Sequence, residues 1–377
     1  MNVKILLTLI FLALFSTAGC KKYKSSGFKL IKRFSPKALG FKKNTQCSDG
    51  WGYKDERTGY LYAIITCDVG SAIVDVQSMT VLGVLKSQHS NIWRDVKIYK
   101  HYAFFVSEEY NSMLTILDLN HLIDTGNMKT HKYNNGLNQW GSGNFASAHN
   151  IAIDEVKGLA FLMGGQNKCK GGMHIVNIKN PLKPRFVSCF ADTYVHDSQC
   201  VTYNSGKSIC FAFAPAKGVL AIDVTNPKKP KLLSELAYDN LSYAHQGYLT
   251  SDKKYLLVDD EDDKTLNGYR TFVIDVRNLK KMKLKYTYTA KGTRVQDHNQ
   301  YATSINGSDY TFQANYANGL AVLKVNEDSL AKVAYFDSYK KDNKMHFKGA
   351  WSVYPFFFPI VFLSDSSGLF ILNSTFA

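Results

Sequence analysis

One apolar string returns seven times along this chain, and its returns constrain the fold more than any other feature. It reads SAIVDV from Ser71, LTILDL from Leu114, MHIVNI from Met173, VLAIDV from Val219, TFVIDV from Thr271, LAVLKV from Leu320 and LFILNS from Leu369. Each copy belongs to a longer unit. Aligned on their first apolar run, the units begin at Trp51, Trp93, His149, His196, His245, His298 and Trp351, 42 to 56 residues apart. That spacing lies in the period range of propeller blades and exceeds that of leucine-rich or ankyrin repeats.

Inside a unit the pattern is that of strands. The third unit has short runs from His149, Leu159, Met173 and Arg185, rich in β-branched and aromatic residues and separated by Gly, Asn, Asp and Pro. Four such runs predict a four-stranded antiparallel sheet. Asn180-Pro181 and Asn226-Pro227 end two copies of the repeated string, because the residue before a proline favours a turn or extended backbone. A lone sheet of this kind cannot bury both faces, whereas seven packed around an axis can, and the circle leaves only short protected edges. The expected fold is all-β, a single seven-bladed propeller over 28–377, in place of the two or three domains that length alone suggests. The last unit stops soon after its third strand. Phe28–Phe34, ahead of the first unit, is predicted to supply the missing outer strand and close the ring.

The first residues follow another logic. Lys4, the apolar run from Ile5 to Phe15 and then Ser16-Thr-Ala-Gly-Cys20 have the form of a secretory signal, and the run is too short to span a bilayer stably. Ala18-Gly19 before Cys20 resembles the bacterial lipobox, with Thr17 in place of its usual Leu or Val. The expected division is a signal peptide over 1–19, a lipidated Cys20 with a basic linker over 20–27, and the propeller from 28. Acyl chains would hold the protein to a membrane at about 0.8 kcal/mol per buried methylene. Cleavage into the periplasm or medium is the alternative.

Setting Cys20 aside leaves Cys47, Cys67, Cys169, Cys189, Cys200 and Cys210. An even number in an exported chain points to disulfides. Spacing alone leaves every pairing open, but blade-sized units favour local ones: Cys47 with Cys67, Cys169 with Cys189, and Cys200 with Cys210. No two are spaced as in a Cys-x-x-Cys zinc site. The formal net charge of +15 is concentrated after Cys20, where Lys21, Lys22, Lys24, Lys29, Lys32, Arg33, Lys37, Lys42 and Lys43 crowd together. Such a stretch suits either a solvated linker or a tether lying on anionic headgroups. The other positive charges are scattered and form no nucleic-acid-binding module, so no nucleic-acid partner is expected. Walker, nucleophile-elbow and dinucleotide motifs are also missing.

In a propeller the first strands line the central channel, and the loops between second and third strands open on the same face as their beginnings. Two sets of residues should therefore converge. The first is Trp93, Arg94, Asp95, His149, Asn150, His196, Asp197, His245, Gln246, Asp297, His298, Asn299, Trp351 and Ser352. The second includes Glu108, Glu109, Gln166, Asn167, Asp259, Asp260, Glu261, Asn315 and Tyr316. Three readings of this polar mouth stand side by side. The histidines could be tethers that hold blades together, with a neighbouring carboxylate fixing each imidazole. The mouth could bind a protein, a carbohydrate or an anion. Or His149, His196, His245 and His298 could hold a divalent metal ion, the candidate cofactor, with Asp197 or Glu261 as the general base of a hydrolase or lyase. The acidic run 259–263 lacks the spacing and glycine of a calcium loop and reads as solvated.

Several strings have a recognisable order. WRDVKIY from Trp93, AHNIAIDE from Ala148, CKGGMHIVNIKNPLKP from Cys169, VHDSQCVTY from Val195, YAHQGYLTSDKKYLLVDDEDD from Tyr243, DHNQY from Asp297 and GAWSVYP from Gly349 resemble the choice-of-anchor B family, whose members carry LVIVD-type repeats. The resemblance runs from about Ser48 to Phe370. It implies an exported bacterial propeller on the cell surface or outer membrane, with a lipid at Cys20 as one choice of anchor, and it implies no particular reaction. This chain has Gly319-Leu-Ala-Val-Leu323 where relatives often read GLRIL, which weakens the case for an anionic ligand there. The function expected from these features is a monomeric surface lipoprotein that binds a ligand or protein partner through its hub face. A metal-dependent hydrolase or lyase is the alternative.

Overall fold

The repeated string forms the third strand of every blade and is paired on both sides. In blade four, Gly218–Asp223 lies between Ser208–Ala214 and Lys231–Leu236. The computed structural model describes residues 23–109, 111–133, 146–166, 168–263, 268–291, 296–342 and 344–376. The signal segment 1–19, Cys20, Lys21, Lys22 and Asn167 lie outside them. Seven antiparallel sheets follow one another, spanning 47–86, 94–133, 150–190, 197–236, 244–289, 299–336 and 350–374. The chain is a seven-bladed β-propeller of four-stranded blades, as its repeat predicts.

Second strands such as Leu159–Met163 and Ser208–Ala214 are buried along their whole length. They lie in the middle of a blade with another blade on each face, so a continuous apolar run replaces the alternation of a half-exposed strand. Seven apolar clusters fill the seams between blades, and the last, with Phe34, Ile371, Ile65 and Val74, joins blade seven to blade one. Each fully buried Phe or Leu in them contributes roughly 1.5–3 kcal/mol. In blades one, three, four, five and six a register shift falls at the same place between third and fourth strands, as at Ala221/Ile222. Such bulges increase the local twist of a sheet.

Phe28–Phe34 pairs antiparallel with Gly368–Ser374, from Phe28 opposite Ser374 to Phe34 opposite Leu369. The chain's first long strand thus completes its last blade. Ser25–Ser26, expected in the linker, adds a short fifth strand to blade six opposite Tyr335 and Phe336. Blade two carries a feature that the repeat does not show: a helix, Leu119–Thr125, between its third and fourth strands. Asp118 caps its start by accepting from the His121 N–H, and Gly126 ends it at φ 72°. Leu119 and Leu122 go into the seam with blade one.

The three local disulfides are present, at Cα separations of 3.7 Å for Cys47–Cys67, 5.3 Å for Cys169–Cys189 and 4.0 Å for Cys200–Cys210. They indicate a chain that matures in an oxidising, extracytoplasmic setting. Among the described residues no helix is long and apolar enough to cross a membrane.

Candidate functional site

Four of the predicted residues form a histidine stair around one mouth of the channel. Neighbouring ring centroids are 4.3 Å apart for His149–His196, 4.4 Å for His196–His245 and 4.5 Å for His245–His298. Trp351 continues the series 5.3 Å from His298, Trp93 lies 5.5 Å from Trp351, and 5.8 Å from Trp93 back to His149 closes it. Six rings thus make a circuit. Each imidazole stands where a first strand begins, so the blade period becomes an angular step around the axis.

Hydrogen bonds fix these rings blade to blade. His196 donates from Nδ1 to the carbonyl of His245 at 3.2 Å, His245 to that of His298 at 2.8 Å, and His298 to that of Trp351 at 2.6 Å. A carbonyl oxygen only accepts, so each Nδ1 carries the proton and each neutral Nε2 keeps a lone pair. His149 instead meets the Glu108 carboxylate, 2.7 Å from its Nδ1. Burial pushes the pKa of His196 and His298 well below the usual imidazole value and lowers that of His245. Asn150 and Asn299 add parallel ties, donating to the carbonyls of His196 and Trp351, both at 3.1 Å.

The mouth is lined by Asp49, Trp93, Arg94, His149, Asn150, His196, His245, Glu261, His298, Asn299 and Trp351. Its free space is about 20 Å³, on a measure by which one water needs about 10–15 Å³. Glu261 reaches it from the predicted second loop of blade five, with Oε2 3.8 Å from His245 Nε2 and Oε1 3.9 Å from His298 Nε2. Tyr316 donates its hydroxyl to Glu261 Oε1 at 2.6 Å. Tyr316 has φ of +41°, uncommon for a bulky residue, and two main-chain bonds of 2.8 Å to Ala350 hold it there. His245, Glu261 and His298 can jointly reach one metal ion. His149 and His196 lie outside that group.

Asp95, Asp197, Gln246 and Asp297 are not part of the mouth's lining. Asp95 accepts from the N–H groups of Val96 and Ile151 and from Lys97 Nζ at 2.6 Å. It marks a waist deeper in the channel, shared with Asp49 and Asp197, both of which bond the next residue's N–H in the same way. Burial and the Asp95 charge push Asp49 up to about 7, and burial raises Asp197 well above the carboxylate range. Burial opposes the Lys97 charge, but Asp95, Asp49 and Asp197 outweigh it and raise the lysine. Gln246 and Asp197 face the opposite mouth, a cavity of about 260 Å³ that Trp51, Lys97, Gln199, Tyr248 and Tyr301 also line. Asp297 is buried, with no partner from another residue for either side-chain oxygen among the described residues, and, through burial and the nearby Asp259, is pushed well above the usual range.

Two expectations change. The first unit's equivalent of His196-Asp197 is Ser48-Asp49, and Trp51 sits deeper, with Lys97 Nζ 4.6 Å over its ring. Matching Ser48-Asp49 to Arg94-Asp95 and His196-Asp197 would have found this; alignment on the aromatic residue concealed it. The acidic run is not a solvated loop. Asp259 accepts from Gln246 N and Gln300 Nε2, Asp260 from Tyr238 and two main-chain N–H groups, and Asp263 pairs with Arg270 at 2.7 Å. Those three carboxylates are held locally, whereas Glu261 projects inward.

No known family profile matches the chain, and no curated protein does. Solved structures do match. A chain of the "Crystal Structure of Mitotic Checkpoint Complex" aligns at TM-score 0.59 and 8% identity, covering 97% of this chain and 100% of that one. The "beta-propeller domain" of Cps50 (Swd1) from Myceliophteria thermophila aligns at TM-score 0.58 and 12% identity, over 92% of this chain and all of that domain. At such identities the likeness is one of architecture alone, and it agrees with the seven-bladed ring.

Proposed function

We propose that the chain is an exported cell-envelope propeller, lipid-anchored at Cys20 in the manner of choice-of-anchor B proteins, that binds a ligand or protein partner through the histidine mouth. The observation that supports this reading most is the closed circuit of six rings, whose polar edges and the nearby Glu108, Glu261 and Arg94 surround one opening. Apolar ring faces beside fixed donors and acceptors are the usual makings of a recognition site. The propeller also appears among proteins that assemble with others, as the checkpoint-complex neighbour shows for itself.

The test uses protein carrying 5-fluorotryptophan, followed by fluorine NMR against panels of neutral saccharides, charged saccharides and short peptides. Binding at the mouth shifts the Trp93 and Trp351 signals for one class of compound, and Trp93→Ala abolishes the response of Trp351. A set of panels that moves neither signal removes this reading, as does a response that Trp93→Ala leaves intact. Release of radiolabelled palmitate incorporation by Cys20→Ser checks the anchor separately.

A further inference from the structure

We propose that His245, His298 and Glu261 hold one divalent first-row transition metal ion, which would make the histidine mouth a metal-dependent binding site. The inference rests on the mouth being the site of recognition and assigns the chemistry of its floor.

Convergence is the first argument. One ligand atom from each of the three residues lies within 4.8 Å of the others. The two imidazole-to-carboxylate separations, 3.8 and 3.9 Å, are too long for hydrogen bonds. They are close to the edge of about 3.4 Å that a tetrahedral ion with bonds of about 2.1 Å sets between its ligands. Small side-chain adjustments span the difference.

Proton bookkeeping is the second. The Nδ1 atoms of His245 and His298 donate to main-chain carbonyls, so both neutral Nε2 atoms present lone pairs. Glu261 adds a carboxylate, and among the described residues no lysine or arginine pairs with it. Two lone pairs and an anion thus face one small space, with the Tyr316 hydroxyl as the carboxylate's donor. A cation resolves that arrangement. Outer hydrogen bonds of this kind, imidazole N–H to carbonyl and phenol to carboxylate, are the ones that orient ligands around metals.

Ligand type and space are the third. Two imidazoles and one carboxylate suit Zn, Fe, Co, Ni or Mn, whereas Ca²⁺ and Mg²⁺ favour all-oxygen sets. The free space of about 20 Å³ accommodates an ion. Three protein ligands leave a coordination position for a water or a ligand oxygen.

The test uses the mature protein without a polyhistidine tag, stripped of metal and titrated with Co²⁺, whose visible absorption reports coordination geometry. The expected result is one Co²⁺ per chain with intense tetrahedral or five-coordinate bands, displaced by Zn²⁺. Glu261→Gln keeps the shape and the Tyr316 contact, and should weaken binding by more than the roughly 10–100-fold typical of outer contacts; Tyr316→Phe should fall within that range. Absence of the absorption bands from the wild-type protein overturns the proposal, as does a Glu261→Gln protein that binds Co²⁺ as tightly. The binding reading is judged separately: indole signals that still respond to a compound in metal-free protein retain the mouth as a recognition site and remove the metal from it. Stoichiometric Co²⁺ uptake without any indole response supports the metal site and counts against the wider reading.

Discussion

The imidazole of His245 donates to the carbonyl of His298 across the seam between blades five and six, over 2.8 Å. Its neighbours His196 and His298 repeat the contact one blade earlier and one blade later. The same rings that shape the mouth therefore also tie successive blades, and a substitution there acts on stability and on binding at once.

His245→Ala should strip a buried carbonyl of its donor at a cost of about 1–3 kcal/mol. Its thermal midpoint should fall by a few degrees while the circular-dichroism spectrum of the folded protein stays that of a propeller. An unchanged midpoint would show that the tie contributes nothing to the ring.

Asp49 sets a pH dependence whose sign is fixed by its raised pKa of about 7. The unfolded carboxyl titrates near 3.9. Between these values the folded state keeps a proton that the unfolded state has released, so this group's contribution declines as pH rises from about 4 to about 7. The buried histidines, lowered by burial, act in the opposite direction below their unfolded pKa of about 6.5. Urea unfolding of wild type and Asp49→Asn isolates the Asp49 term: the variant should gain on wild type as pH rises across that window. Parallel profiles would contradict the assignment.

Disulfide loss should scale weakly with loop length. Cys200 and Cys210 are 10 residues apart, and the other two pairs are each 20 apart. Chain-entropy arguments give about 2.7 kcal/mol for the short loop and about 3.3 kcal/mol for a long one. Denaturant midpoints of the three double serine variants, each made alone, test the order.

Arg270 and Asp263 form a partly buried bidentate pair beside Glu261, with Asp263 buried and Arg270 half-buried. Asp263→Ala leaves the guanidinium without its partner and should cost less than the roughly 3–5 kcal/mol of a fully buried pair, because Arg270 keeps partial access to water. Arg270→Met with Asp263→Leu should cost markedly less. A double variant as unstable as the single one would mean that the fold needs the ion pair itself and not merely a filled, uncharged seam.

What the amino-acid pattern exposed, and what it hid, follows from periodicity. His149, His196, His245 and His298 recur in step with the blades, so converting position into angle brought them together. Local pairing of the cysteines was legible because a blade folds its strands back on themselves, as Cys200 opposite Cys210 shows. The waist was obscure because Lys97 is a single residue without a counterpart in other units, and only the packed channel sets it beside Asp49 and Asp197. Glu261 was visible but sat in a run of five acids. Which of them turns inward depends on Arg270, Tyr238 and Gln300, which satisfy its neighbours from other strands. The helix of blade two left only extra length in its unit as a trace.

The pairing of Phe28–Phe34 with Gly368–Ser374 is the clasp that closes the ring. Such a contact, separated by nearly the whole chain, carries a high cost in loop-closure entropy. During synthesis the early strand stays unpaired, with Phe28, Leu30 and Phe34 uncovered, until Gly368–Ser374 has been made. A chain cut before Gly368 would hold six complete blades and an open rim, with the apolar flanks of its first and last blades exposed to anything that can add a strand.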